Sequence, residues 1–359
     1  MPPAKPMLFV RALCVAASTC APVAAFAQDG APPNCRDDDK ACATKAVKNH
    51  VVKSMAYWQH AFARPVDERI GPVPPEVVDF LKLQNIADGF PEKPHAAPIA
   101  ADFLRDLRAA LAELPDPVKR RLNAKLAGIY LVDDLGGTGF TDQVYDARAT
   151  AVAGYVVLDM AVLNRHIANS WATWKENTPF KAQPGFRLAV EIETGANNDR
   201  KNAIQYILLH ELGHVLAIGE NIHPSWDVKP QDVRSLSAFP FAHASWTVKG
   251  DRYASRFDAA FPQRRKVVFY LEPKLQAGQM PATYGNLART NFSTLYAATS
   301  PGDDFAEAFA NYVHTVLMKK PFAIRIYRDG TLVKTYRPCW EQARCAFKRK
   351  LLEQFLAVP

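Results

Sequence analysis

The sequence predicts an α+β fold with a small mixed sheet, one long apolar helix and an N-terminal helical extension. Three observations lead to this prediction. Apolar side chains recur every three to four positions in the first third of the chain, short β-rich runs follow, and a helical pattern spans 199–218. The 359 residues are 48% hydrophobic and 22% charged, which is typical of a folded chain and excludes disordered and fibrous classes. This length allows one large domain or two.

The first 27 residues have the pattern of a secretory signal peptide. Lys5 and Arg11 precede an apolar stretch, 12–26, and the Ala-Phe-Ala at 25–27 forms an A-x-A cleavage site. We therefore expect cleavage after residue 27 and a secreted or periplasmic protein. No later stretch reaches the roughly 20 apolar residues of a membrane span, so no integral membrane segment is expected after cleavage.

Cysteine usage agrees with export. Outside residues 1–27 the cysteines are Cys35, Cys42, Cys339 and Cys345. Three pairings are possible, and the two local ones, Cys35 with Cys42 and Cys339 with Cys345, are favoured because each closes a short loop. Their spacing is wider than that of zinc knuckles. The chain carries 44 Lys and Arg against 36 Asp and Glu, a mild excess without interleaved aromatics that does not indicate nucleic-acid binding.

Residues 28–125 are predicted to form the N-terminal helical extension. The predicted helices of this part are 35–63, 75–83 and 99–114. The proline-rich 71–75 separates the first two, and Pro115 and Pro117 are expected to stop the last.

Residues 126–359 are predicted to form the second domain. The predicted strands are 128–132, 151–158 and 186–192, and the last alternates apolar and polar side chains. The long helix 199–218 follows, with Gly219 as its C-terminal cap. The proline-rich 220–300 is expected to be a mostly irregular insertion.

Three further elements are predicted after this insertion. Ser300 caps a helix that continues to about residue 318, because Pro301 suits its first turn and Asp303 completes an S-x-x-D capping box. A hairpin turns at Asp329-Gly330 between strands 322–327 and 331–336. A helix over 340–356 ends the chain.

The long helix contains an H-E-x-x-H motif, His210-Glu211-Leu212-Gly213-His214. Residues four apart share a helix face, so His210 and His214 can bind one metal ion, for which zinc is expected. Glu211 would accept a proton from the metal-bound water, whose pKa zinc lowers to about 7, and pass it to the leaving amine. Ionisable side chains within so apolar a helix are costly without a ligand, which favours a metal site over a chance match.

A catalytic zinc site needs a third protein ligand and an open position for water. Glu307 is one candidate, because it lies one turn inside the capped helix that begins at Ser300. Glu220 is the other, at the position where a metzincin places its third ligand, but a metzincin has Gly where this chain has Ala217. His223 lies near enough in sequence to join either arrangement.

The motifs H-E-L-G-H and D-D-F-A-E-A-F, about ninety residues apart, together resemble the gluzincin branch of zinc peptidases. They are similar in particular to the lethal-factor-type catalytic domains. The resemblance covers about 186–318 and implies a zincin-like catalytic core with a small mixed sheet and an active-site helix. It further implies that His210, His214 and Glu307 bind Zn²⁺ and that Glu211 is the general base.

In such enzymes a tyrosine upstream of the ligand helix helps to stabilise the oxyanion. Tyr296 is the candidate for this role, with Tyr284 and His223 as alternatives. Polar residues near the predicted ligands are candidates for orienting the imidazoles. These are Asp303, Asp304, Asn311 and His314.

The sequence thus predicts an exported zinc-dependent metallopeptidase whose peptide or protein substrate is aligned along an edge strand. Two alternatives stay open. One is a hydrolase of peptidoglycan cross-bridges that uses the same zinc site. The other is a non-catalytic envelope binding protein that keeps the zinc helix for stability.

Overall fold

The computed structural model of the protein describes residues 35–357. The predicted signal peptide, 1–27, lies outside these residues. Within them the fold is mixed α+β, with helices packed around small sheets, so the prediction of an α+β fold is confirmed at this coarse level. None of the described helices combines the length and apolarity that crossing a bilayer requires.

The helices are distributed along the whole described chain. They are α1 (Lys40–Lys48), α2 (Met55–Phe62), α3 (Pro75–Asp88), α4 (Ala101–Ala112), α5 (Asp116–Lys125), α6 (Met160–Asn164), α7 (Ala168–Asn177), α8 (Arg200–Ala217), α9 (Pro240–His243), α10 (Met280–Leu287), α11 (Pro301–Tyr312) and α12 (Ala346–Ala357). A π-helical turn, Val313–Leu317, continues α11. The predicted helix 199–218 is α8, and the predicted helix 300–318 is α11 with this turn.

The strands are short and fall into separate small sheets. They are β1 (Ile70–Pro72), β2 (His95–Ala96), β3 (Leu126–Asp133), β4 (Gly139–Tyr145), β5 (Ala151–Asp159), β6 (Phe180–Lys181), β7 (Phe186–Glu191), β8 (Trp246–Lys249), β9 (Arg252–Ser255), β10 (Leu275–Gln276), β11 (Ala323–Arg328) and β12 (Thr331–Tyr336). Strands β6 and β10 pair in parallel, and β8 and β9 pair antiparallel.

The largest sheet has the order β1-β3-β5-β4, with β2 also paired to β3. Strands β1, β3 and β5 are parallel, whereas β4 is antiparallel to β5 and is the last in the order. Strand β4 is therefore an edge strand. Within the described residues, its free side makes only a single bridge, between Tyr145 and Ser54.

The predicted hairpin forms the three-stranded antiparallel sheet β12-β11-β7. Its turn has positive φ at both Asp329 (48°) and Gly330 (80°). These angles suit a two-residue turn that matches the twist of the flanking strands. Strand β11 of the hairpin pairs antiparallel with β7, the strand that precedes α8 in the sequence.

The five-stranded sheet has an apolar core on each face. On one face α2 and α3 pack with Trp58 and Phe80 against Tyr155, at ring-centroid distances of 5.0 and 6.5 Å. The other face packs against α4 and α8. Buried residues of this second core include Leu107, Ile129, Val156, Leu208, Leu212 and Val215. Helix α8 is thus held between the sheet and the later helices.

The predicted N-terminal extension, 28–125, contributes to this central sheet. It supplies strands β1 and β2 as well as the helices that cover one face. Its Lys53 is buried and pairs with Asp142 on β4 (Nζ–Oδ1 2.8 Å) and with Asp227 (3.2 Å). The sheet therefore contains strands from both sides of the predicted boundary at 125/126.

Both predicted local disulfides are present. Cys35 pairs with Cys42 and Cys339 with Cys345, and the Cα atoms of each pair are 5.7 Å apart. The second disulfide lies in the core just before α12. Two disulfides are compatible with a protein that matures in an oxidising compartment.

Some elements differ from the prediction. Pro117, predicted to stop a helix, lies in the first turn of α5, where its missing N–H would have no helical partner in any case. The predicted helix 35–63 is divided into α1 and α2. Helices α5, α6 and α7 and strands β1, β2 and β4 are additional to the predicted elements. The insertion 220–300 contains short elements, α9, α10, β8 and β9, between irregular segments.

Candidate metal centre and cleft

Helix α8 presents the two motif histidines on one side, as the sequence predicts. The side chain of Asp199 accepts a hydrogen bond from the Asn202 N–H (2.8 Å) and caps the start of the helix. Gly219, just beyond its end, has φ +75°. The rings of His210 and His214, one turn apart, have centroids 4.9 Å apart.

The glycine of the motif allows α11 to approach α8 closely. A Cβ added to Gly213 would lie 2.9 Å from the Ala306 Cα, a distance that real side chains do not tolerate. Because the helices touch at this point, the carboxylates on either side of Ala306 in the sequence, Asp303 and Glu307, come to the two imidazoles. A larger residue at 213 would push these carboxylates away.

Asp303 lies beside His214. Its Oδ1 is 3.6 Å from His214 Nε2, and possible ligand atoms of His210, His214 and Asp303 all lie within 4.8 Å of one another. The Asp303 carboxylate accepts hydrogen bonds from the hydroxyls of Thr299 (2.9 Å) and Ser300 (2.8 Å). Ser300 in turn accepts from the Asp303 N–H (3.1 Å), so the predicted N-terminal cap of α11 also fixes this carboxylate.

Glu307 lies beside His210 and is fully buried. Its Oε1 is 2.5 Å from Lys175 Nζ and 3.1 Å from His210 Nδ1, and its Oε2 accepts a hydrogen bond from the Thr294 hydroxyl (2.6 Å). Burial alone would raise the pKa of Glu307, but the charge of Lys175 and the proximity of His210 outweigh it and hold this pKa below its ordinary range. Glu307 is therefore ionised and held from several sides.

Glu211 faces the edge strand β4. The Thr141 hydroxyl donates to Glu211 Oε2 (2.6 Å), and a Cβ on Gly139 would collide with Glu211 Oε1. The absence of a side chain at 139 thus lets this carboxylate lie against the strand backbone. Any molecule paired to the free side of β4 would pass close to Glu211.

Of the predicted oxyanion residues, Tyr296 and His223 line the same cleft as the histidines, whereas Tyr284 does not. The ring of Tyr296 lies 5.5 Å from that of His210. Burial and the nearby carboxylates raise the pKa of Tyr296, so its hydroxyl keeps its proton. Tyr284 is buried elsewhere and donates to Glu176.

His223 adds an unused acceptor to this region. Its Nδ1 lies 2.8 Å from the Pro224 carbonyl and donates to it, and its buried Nε2 has no partner among the described residues. Burial, with a smaller effect of His214, lowers the pKa of His223 to about 4, so the ring is neutral. Trp226 lies beside the imidazoles of His214 and His223. The centroid of its ring is 5.8 Å from that of His214 and 6.2 Å from that of His223.

These side chains line a cleft of about 630 Å³. Strand β4 forms one wall, the start of α11 forms another, and the segment 223–230 forms a third. Behind Glu211 a small cavity of about 30 Å³ is lined by Lys175 and Tyr270. The cleft is large enough for an extended peptide segment, and the cavity for a water molecule.

The remaining candidates lie away from the histidine pair. Glu220 pairs with Arg121 (3.1 Å) and Lys125 (3.6 Å). Asp304 pairs with Lys348 in the core. Asn311 and His314 bond to other parts of the core: Asn311 accepts from the Trp340 indole, and His314 Nε2 lies 2.9 Å from the Ile192 carbonyl.

Three residues around the centre were not identified from the sequence: Thr141, Lys175 and Thr294. Thr141 lies in the run 139–145, which contains aromatic and β-branched residues but whose apolar alternation is interrupted by Asp142. Lys175 follows Trp171 by four positions on α7, which places a lysine on a buried helix face. Thr294 precedes α11 without any local pattern that marks it.

Glu176, next to Lys175, gives the fold a defined pH dependence. Burial raises its pKa to about 7 in the folded protein, against 4.5 as the ordinary value. The folded state therefore holds this proton longer than the unfolded state does, and stability falls as pH rises from about 4.5 to 7. Glu176→Gln removes this loss while its oxygen still accepts from Tyr284.

We compare the unfolding free energies of Glu176→Gln and the wild type at pH 4.5 and at pH 8. Between these two pH values the difference should shift by about 3 kcal/mol in favour of the variant. Urea unfolding at the two pH values measures this change. Wild-type and variant curves that stay parallel across this window would contradict it.

The described part of the chain thus brings the motif residues His210, Glu211 and His214 together with Asp303 and Tyr296 in one cleft beside an edge strand. Two imidazoles and a carboxylate can bind a divalent metal ion. Comparisons of the chain with protein-family models, with curated proteins and with solved structures find no match.

Proposed function

We propose that the protein is an exported zinc-dependent metallopeptidase with a zincin-like core. The observation that carries this proposal is that His210, His214 and Asp303 lie together in the wall of an open cleft. Glu211 lies beside them and contacts the edge strand β4 through Thr141. A purely structural histidine pair would need neither the cleft nor the free strand edge. The two disulfides agree with export.

The donor set fits zinc. Two imidazoles and one carboxylate, with one position left open, are a usual catalytic zinc environment. Two ligands of a tetrahedral zinc ion lie roughly 3.4 Å apart at ordinary bond lengths. The distance of 3.6 Å between His214 Nε2 and Asp303 Oδ1 is close to this value. We therefore propose Asp303 as the third ligand, in place of the Glu307 that the resemblance implies.

Glu307 is less suited to bind the ion directly, because both of its oxygens are already bound by Lys175 and Thr294. Possible ligand atoms of Glu307 also do not join the cluster of His210, His214 and Asp303. In the proposed centre Glu307 supports His210 from behind.

A zinc ion held at this centre would polarise a peptide carbonyl and acidify its bound water. Glu211 is placed to take a proton at its carboxylate and to return it to the leaving amine, and Thr141 holds that carboxylate in position. The protonated hydroxyl of Tyr296 can donate to an oxyanion beside His210. The free side of β4 can bind an extended substrate through main-chain hydrogen bonds.

Metal content of variants tests the proposed ligand set. We expect purified wild-type protein to contain about one zinc per chain and Asp303→Asn to bind zinc more than about 100-fold more weakly, since even residues behind the ligands contribute 10–100-fold. Competition with a metal chelator measures the affinity. The same samples are assayed on a mixture of unstructured peptides.

Glu220→Gln is the matched control, because Glu220 lies away from the histidines and its loss should leave zinc affinity unchanged. Loss of zinc in Glu307→Gln together with retention in Asp303→Asn would make Glu307 the third ligand. No zinc in the wild type, even after reconstitution, would overturn the proposed function.

A further inference from the structure

Lys175 is a buried lysine directly behind the candidate metal centre. Its side chain is 7% exposed, and its Nζ lies 2.5 Å from Glu307 Oε1. Aromatic rings surround the ammonium, with the centroid of Tyr296 at 4.6 Å and that of Trp171 at 5.7 Å. Removing a lysine from water is costly, so a lysine at this place needs a specific anionic partner, which Glu307 provides.

Glu307 is fixed by residues from three separate parts of the chain. Lys175 comes from α7, Thr294 from the segment before α11, and His210 from α8. Glu307 Oε1 faces His210 Nδ1 at hydrogen-bonding distance, although the N–H direction is not aligned with it. The carboxylate can neither rotate nor withdraw without breaking its contacts with Lys175 and Thr294.

Lys175 and Glu307 each keep the other in its charged form. Burial would lower the pKa of Lys175, but Glu307 raises it above its ordinary range, so the ammonium stays charged. Glu307 is ionised for the corresponding reason. The imidazole of His210 therefore faces a carboxylate whose charge and position are both fixed.

We infer that Lys175 is a positioning residue of the metal centre: together with Thr294 it holds the Glu307 carboxylate against His210 and thereby raises the affinity of the centre for its metal ion. A carboxylate behind a histidine ligand orients the ring and makes it a better donor. Lys175 acts only through Glu307 and does not touch the ion. This inference rests on the proposed metal site.

Another carboxylate of α11 forms a buried ion pair that provides the control. Asp304 pairs with Lys348 of α12 at 2.5 Å, and both side chains are almost completely buried. This pair faces the core rather than the histidines. Lys348→Met thus removes a buried lysine from a carboxylate of α11 without disturbing Glu307, which separates a positioning effect from general destabilisation.

The test measures the Zn²⁺ affinity of the purified, oxidised protein by chelator competition, and the absorption bands of its Co²⁺ form. The variants are Lys175→Met, Glu307→Gln, the double variant and Lys348→Met. We expect Lys175→Met and Glu307→Gln each to weaken Zn²⁺ binding by about 10–100-fold. The double variant should equal the single ones rather than their product, because the lysine acts through the glutamate. The double variant removes both the lysine and the glutamate charge, so it leaves neither of them unpaired in the core.

The Co²⁺ bands should shift in Lys175→Met and remain in place in Lys348→Met, which a merely structural role of Lys175 would not produce. Unchanged Zn²⁺ affinity in Lys175→Met, or losses that multiply in the double variant, would overturn the inference. A wild type that binds no Zn²⁺ would instead overturn the proposed function, so the two failures are distinguishable without any peptidase assay.

Discussion

Replacing Glu211 with glutamine is expected to lower kcat/KM on a peptide substrate by about 10³-fold, because a positioned general base contributes 10²–10⁴-fold to such a reaction. Glutamine has the same shape and can still accept the hydrogen bond from Thr141. It cannot accept a proton from water. The loss should therefore appear in kcat rather than in substrate binding.

The zinc content of Glu211→Gln gives the necessary control. Glu211 is not a proposed ligand, so the variant should bind zinc and unfold at the same urea concentration as the wild type. If Glu211→Gln retained more than about a tenth of the wild-type kcat/KM with zinc bound, Glu211 would not be the general base.

The second large effect concerns stability. We expect Lys348→Met to lower the free energy of unfolding by about 3–5 kcal/mol, the usual cost of leaving one partner of a buried ion pair alone. Lys348 and Asp304 are 1% and 0% exposed, and the carboxylate also accepts from the Trp246 indole. Without the lysine, Asp304 must either remain charged in the core or take up a proton.

Urea unfolding followed by tryptophan fluorescence measures this change. The double variant Lys348→Met/Asp304→Asn removes the unpaired charge, while the amide oxygen of the introduced side chain can still accept from Trp246. It should recover a large part of the stability. A double variant that is no more stable than Lys348→Met would show that the loss comes from packing rather than from the charge of Asp304.

The elements that the sequence predicts well have strong local patterns. Helix α8 has caps at both ends, and α11 starts at Ser300 with a capping interaction that the structure contains. The Asp329-Gly330 hairpin has a turn that few other residue pairs favour. Local backbone preferences and tertiary packing agree in these elements.

The missed elements depend on contacts that are distant in sequence. Strand β4 has a polar residue, Asp142, at a buried position, which hides its apolar alternation, and only Lys53 from the N-terminal part explains it. Pro117 can end one helix or start the next, and the residues around it leave both open. The same limit applies to the proposed metal centre. The motif alone identified both histidines, whereas the choice between Asp303 and Glu307 depends on Lys175, more than a hundred residues away.

The layer that residues 35–125 add to the central sheet restricts how activity can be controlled. A segment that only blocks a cleft can be cut away after export to release an active enzyme. Here removal of this segment would take two strands from the sheet, expose the aromatic core around Trp58 and leave Asp142 without Lys53 beside the cleft. Removal of residues 35–125 is therefore expected to disrupt the central sheet rather than to uncover an intact cleft.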